Sequence, residues 1–138
     1  MYQHILITLD GSNTDRAIID HIKALAPLHH SRVSLLHVIN NAQAVYHGKN
    51  AAGEEVEATN RYLEGVRLEF EGLGLQAQTH IAFGEPVKEI VSWVHRHACN
   101  LVAMGTHGHG FMADIVLGTT AIKVQHSISV PVLLLRAR

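Results

Sequence analysis

Short apolar runs of strand length alternate with segments of helical apolar spacing along this whole chain, and few folds accommodate such an alternation. His4 to Leu9 is the first run, and it stops at Asp10-Gly11-Ser12. Ser12 and Asp15 stand at capping-box spacing, and Ile18, Ile22 and Leu25 then mark one face of a helix. Val33 to Ile39 is a second, β-branched run. Val56, Leu63, Val66, Phe70 and Leu73 recur at helical intervals before Gly72 and Gly74 close that helix. Gln76 to Ala82 alternates polar and apolar residues, as a half-exposed strand does. Gly84-Glu85-Pro86 opens a third helix, with Val87, Ile90, Val91 and Val94 inward and Trp93 as partial cover. Leu101 to Met104, a helix carrying Ala121, Val124 and Ile128, and the run Val132 to Leu135 after Pro131 complete the series.

Strands alternating with helices imply right-handed crossovers and an α/β domain whose parallel sheet is covered on both faces. The continuous apolar strands belong at its centre, the alternating third strand at one edge and Val132-Leu135 at the other. The 138 residues suit one domain, 1–138. With 47% apolar residues and a net charge of −1, the chain offers no electrostatic footprint for nucleic acid or an anionic membrane. No apolar stretch approaches the ~18 residues of a membrane span, and Ile5 to Leu9 is too short for a signal peptide. Cys99 is the single cysteine, read as a small core filler in a reducing, cytoplasmic setting. One segment breaks the tight alternation. Asn40 to Gly53 is polar and glycine-containing, which predicts a long loop, either a surface insertion or a cover bringing Tyr46, His47 and Lys49 to a ligand.

The chemistry concentrates after the fourth strand, where Gly105-Thr106-His107-Gly108 is followed nine residues later by Gly118-Thr119-Thr120. Glycines there allow main-chain amides close to a ligand, and hydroxyls at a helix start add donors where the helix dipole favours an anion. No Gly-Lys-Ser/Thr tripeptide exists, which excludes a Walker A loop. Gly108 to Ala113 satisfies the loose dinucleotide fingerprint, but only one strand follows it and no carboxylate lies near Ile128.

Together with "ILITLDGS", "SLLHVI", "GEP" and "VPVLLLR", the Gly-two-Gly-nine-Gly-Thr pattern resembles the universal stress protein family over essentially the whole chain. The resemblance implies a five-stranded parallel sheet ordered 3-2-1-4-5 with helices on both faces, and ATP binding, with Mg²⁺ as a companion ion. It implies phosphates against Gly105, Gly108, Gly118 and Thr119 with Thr120 adjacent, the ribose near Asp10, and adenine near the backbone of Val38. The candidate ATP-binding set is completed by Thr8, Leu9, Met104, Thr106, His107 and His109. Thr8, His109 and Phe111-Met112-Ala113-Asp114 depart from the family pattern, and Asp114 would either repel phosphate or hold Mg²⁺.

A stress protein that acts by binding or signalling, not fast turnover, is the expected function, because no nucleophile triad, paired carboxylates or metal-ligand set stands out. The alternative is a dimeric interaction module of the same fold that binds no nucleotide. His95 and His97 point to nearly opposite sides of a helix, and His107 and His109 lack a third ligand, so no metal site is expected. Val132-Leu135 lacks the charges that protect a sheet edge, and pairing with its copy would make a homodimer.

Overall fold

The computed structural model describes residues 1–106 and 119–136, with the backbone alone for residues 41–52. The elements follow the chain as β1 (His4–Thr8), α1 (Thr14–His29), β2 (Arg32–Ile39), α2 (Asn41–Glu71), β3 (Ala77–Phe83), α3 (Pro86–His97), β4 (Leu101–Gly105), α4 (Thr119–Ser127) and β5 (Val132–Leu135). All strand pairs are parallel, in the order β3-β2-β1-β4-β5. Both edges are therefore where the patterning puts them.

The pleat divides each central strand between two cores. Ile5 and Ile7 of β1, Val33 and Leu35 of β2, and Leu101 and Ala103 of β4 face α1 and α2, where they meet Ile18, Ile22, Leu63, Val66 and Phe70. Leu6, Leu36, Val102 and Met104 face α3 and α4, meeting Ile90, Trp93, Val94, Ala121 and Val124. Cys99 lies in this second core. Trp93 does so too, and is buried, because the α3 periodicity brings it beneath Ile90 and Val94 instead of at the margin. Each fully buried aliphatic side chain contributes on the order of 1.5–3 kcal/mol.

Two local expectations are corrected. The backbone of residues 41–53 is the opening of α2, a 31-residue helix, and not a loop. Ala42, Ala44, Ala51 and Ala52 favour helix, and Gly48 and Gly53 each cost only about 1 kcal/mol against it. The side chains of Tyr46, His47 and Lys49 lie outside the described residues. At the start of α1, Asn13 takes the cap position with no side-chain cap bond, and Ser12 Oγ has no hydrogen-bond partner. The α2 helix does close at Gly72 to Gly74, where the Leu75 amide donates to Phe70 O and the Gly74 amide to Glu71 O. Leu73 is exposed at that turn.

Away from the carboxyl ends of the strands, three imidazoles surround the single indole. Trp93 stacks on His97 with centroids 4.0 Å apart and receives His4 and His80 edgewise at 5.7 and 5.3 Å. His4 Nδ1 accepts from Arg32 at 3.2 Å, so Nε2 carries the proton and donates to Ser34 Oγ at 2.8 Å. Burial, with the Arg32 charge beside it, holds His4 below the ordinary imidazole value of 6.5. Burial, then His97, lowers His80 likewise. Both therefore stay neutral to lower pH in the folded chain than in the unfolded chain, which takes up protons below 6.5. Their contribution to stability is present above that value and is lost as pH falls through the depressed folded values. The urea midpoint, followed by Trp93 fluorescence, is therefore expected to fall between about pH 7.5 and about pH 5.5, and less steeply in His80→Leu. Equal midpoints at the two pH values would contradict this account.

Candidate nucleotide crevice

β1 and β4 are neighbours, yet the connections that follow them leave over opposite faces of the sheet, so a crevice opens at their carboxyl ends. Its volume is about 280 Å³. Thr8 at the end of β1 lines it with Leu9 and Asp10 just after, joined by Thr14 and Asp15 of α1, Leu36 and Val38 of β2, and Met104 and Gly105 of β4. Pro86 and Ile90 of α3 and Thr120 of α4 form its outer wall. A second cavity, of about 400 Å³, lies at the amino ends of the strands beside Gln3, Arg32, Gln76 and Asn100. There the helices present their carboxyl ends, and Asn100 already accepts the His4 amide.

Backbone direction explains what β2 offers. Leu36 O accepts from the Leu9 amide, so Leu36 points its peptide groups toward β1. The register with β1 stops at Leu36, and strand alternation turns the N–H and C=O of Val38 the same way, into the open mouth. Leu9 O is held by His37 Nδ1–H at 2.7 Å.

Gly105 is glycine for a reason the sequence concealed. A Cβ there would stand inside van der Waals contact of Thr14 Cγ2, and 3.1–3.2 Å from Thr14 Cβ and Ile18 Cδ1. The start of α1 therefore packs directly onto the end of β4. Gly11, at φ +83°, makes the left-handed turn that brings α1 there.

The acidic corner is organised by Asp15, which is only 2% exposed. Its Oδ1 accepts from the Asp10 amide at 3.2 Å, and its Oδ2 from the Gly11 amide and the Tyr62 hydroxyl, each at 2.7 Å. This acid reaches back as a capping acid does, but to amides one and two residues before the one that the box pattern predicts. Burial pushes the Asp15 carboxyl up, as does the Asp10 charge, while the hydrogen bonds from Tyr62 and the two amides work against the rise. Asp10 is exposed, and its Oδ1 accepts from the Ser12 amide at 2.8 Å. For Asp10, desolvation acts upward, but the bond from the Ser12 amide, the Asp15 contact and the nearby His37 outweigh it and hold the carboxyl below its usual range. Thr14 Oγ1 is buried without a hydrogen-bond partner, as is Ser12 Oγ.

Of the residues expected to bind ATP, Thr8, Leu9, Asp10, Val38, Met104, Gly105 and Thr120 meet in the crevice. Thr119 begins α4 and is exposed. Thr106 sits next to Gly105, but its amide and hydroxyl both donate to Leu135 O, at 2.8 and 3.2 Å, tying it to β5. His107, Gly108, His109 and Gly118 lie outside the described residues, as do Phe111 to Asp114. Leu36, Ile90 and Pro86 read as core and helix-start residues, Asp15 as a cap, and Thr14 and Tyr62 carried no signal at all. Only the chain's return to this point made them neighbours.

A doubly wound parallel sheet with a mixed apolar and acidic crevice at its switch point defines the chain as an open-sheet α/β domain. Within that class, the chain belongs to the universal stress protein family, whose pattern it matches over residues 1–136. It is 28% identical to the universal stress protein MJ0577 of Methanocaldococcus jannaschii, over 100% of this chain and 97% of that protein. The solved MJ0577 structure superposes with a TM-score of 0.87 at 29% identity, over 100% of this chain and 98% of that one. A universal stress protein in complex with cAMP shares the fold with a TM-score of 0.76 at 16% identity, covering 99% of each chain. One from Archaeoglobus fulgidus in complex with dAMP does so with 0.73 at 17%, covering 97% of this chain and 98% of that one. No helix among the described residues is long and apolar enough to cross a membrane.

Gly105→Ala is expected to lower stability by about 1–3 kcal/mol through overpacking against Thr14. Thr14→Ser, which removes the offending methyl, should restore much of that loss in the double variant, as read by urea denaturation. Additive losses would show that the two residues do not press on each other.

Proposed function

We propose that this protein binds ATP in the crevice and acts in the stress response by binding or signalling, not by rapid turnover. The order of the lining across the sheet carries the reading. Apolar side chains and the outward peptide groups of Val38 stand over β2, carboxylates over β1, and Gly105 with Thr120 over β4 and α4. Strands lie ~4.8 Å apart, so the three stations span about 10 Å, the reach of a nucleoside with its first phosphate. A carboxylate accepts from sugar hydroxyls and repels phosphate, which orients the ligand: adenine on β2, ribose at Asp10, phosphates toward Gly105, Thr120 and the Gly108 to Thr119 segment. Thr14, which lines the crevice, leaves its buried hydroxyl unpartnered there, as a site made to receive a polar ligand does. The cAMP and dAMP complexes of relatives support an adenine nucleotide as the class of ligand.

A helix start contributes at most ~2 kcal/mol toward an anion, and micromolar affinity needs about 8. Adenine burial, several main-chain bonds and Mg²⁺ on the phosphates supply the rest. Calorimetry with Mg·ATP is expected to show one site per chain, weakened roughly tenfold in Asp10→Ala, the cost of about one charged hydrogen bond. No heat with the parent protein, and no nucleotide released on denaturing it, would leave the family fold as an interaction module without a nucleotide.

We also propose a cytoplasmic homodimer joined along β5, whose four residues are only half-buried at a sheet edge. Light scattering should give about twice the monomer mass; a monomer at micromolar concentration would exclude it.

A further inference from the structure

We infer that Asp15 is a positioning residue for the sugar-binding carboxylate, and that Tyr62 makes the seating of α2 part of the ligand site. This rests on the nucleotide reading above and adds to it how the sugar station is built. Asp15 holds the amides of both Asp10 and Gly11 from one side, and these are the two residues that turn β1 into the approach to α1. The Asp10 side chain in turn closes onto the Ser12 amide. The direction of the Asp10 carboxylate at the mouth is thus fixed at one remove by the buried Asp15 carboxylate, which lines the same crevice.

Tyr62 reaches Asp15 from α2, 47 positions along the chain, and shares Oδ2 with the Gly11 amide. Two ion pairs hold the same helices together farther along: Arg16 to Glu69 at 2.7 Å and Lys23 to Glu69 at 3.0 Å. Exposed pairs of this kind contribute little energy, but they keep α2 in register with α1. A shift of α2 that draws the Tyr62 hydroxyl away leaves Asp15 buried with one donor fewer, and the Asp10-Gly11 turn relaxes with it. Seating of α2, by a partner or by a bound ligand, is in this way transmitted to the sugar station.

Tyr62 is 38% exposed, so Tyr62→Phe removes the hydroxyl with little disturbance of the core. ATP, 2′-deoxy-ATP and 3′-deoxy-ATP are the probes, titrated by calorimetry into the parent, Tyr62→Phe, Asp15→Asn, Asp10→Ala and the Asp10→Ala/Tyr62→Phe pair. Weakening, without abolishing, the charged hydrogen bond from the sugar to Asp10 corresponds to about a 2- to 10-fold change. Tyr62→Phe is expected to weaken ATP by that factor, to leave the deoxynucleotide lacking the contacted hydroxyl almost unchanged, and to add nothing in the Asp10→Ala background. Asp15→Asn should do the same more strongly. If ATP and both deoxynucleotides weaken alike, and additively with Asp10→Ala, Asp15 and Tyr62 are only structural and the inference falls. Parent-like ATP affinity in both Tyr62→Phe and Asp15→Asn also overturns it, with the nucleotide reading intact. A parent protein that binds none of the three probes overturns that reading and this inference together.

Discussion

The position of β1 governs most of what this molecule can do. Its residues Ile5, Leu6 and Ile7 are fully buried between β2 and β4, so the strand is held by ladders on both sides and by cores on both faces. The winding of the connections reverses at it: α1 and α2 cover one face while α3 and α4 cover the other. Nothing in the backbone can fill the space where the two sets of connections part. The crevice is a consequence of that parting, and the contact of Thr14 with Gly105 closes its floor.

Polar side chains are sorted to opposite ends of this frame. The carboxyl ends of the strands collect Asp10 and Asp15, hydroxyls and a turn in left-handed backbone, features that cost stability and suit ligand binding. Away from those ends, the buried His4 and the half-buried His80 gather around Trp93. Helix α3 touches both regions, through Pro86 and Ile90 at the crevice and Trp93 and His97 at the imidazoles. Helix α2 reaches the crevice as well, through the Tyr62 hydroxyl on Asp15.

Much of this frame was legible beforehand for a plain reason. Apolar residues repeated every second position must lie on pleated strands, and those repeated every third or fourth on helices, wherever the chain goes. The polar alternation of Gln78 and His80 marked β3 as an edge, and Pro86 after Glu85 marked the start of α3, where Glu85 does accept from the Val87 and Lys88 amides. The segment from Asn40 to Gly53 was misread because polarity and two glycines resemble a loop, whereas helix propagation on an already formed α2 tolerates both. Ser12 and Asp15 were misread because capping-box spacing says which groups are near in sequence and not which amide the acid will find.

By itself the sequence determined the element order, a sheet covered on both faces and its two edge strands, and through the family resemblance it pointed to Asp10 and Gly105 at the ends of the first and fourth strands. It also carried the glycine-threonine pattern of the family. Tertiary structure alone decided why Gly105 has no side chain, where the Asp15 carboxylate goes, and that Tyr62 shares it. The physical reason is distance along the chain. Periodicity and turn chemistry act over a few residues, whereas Thr14 with Gly105 and Asp15 with Tyr62 meet only after the sheet has closed and brought remote segments within van der Waals and hydrogen-bond range.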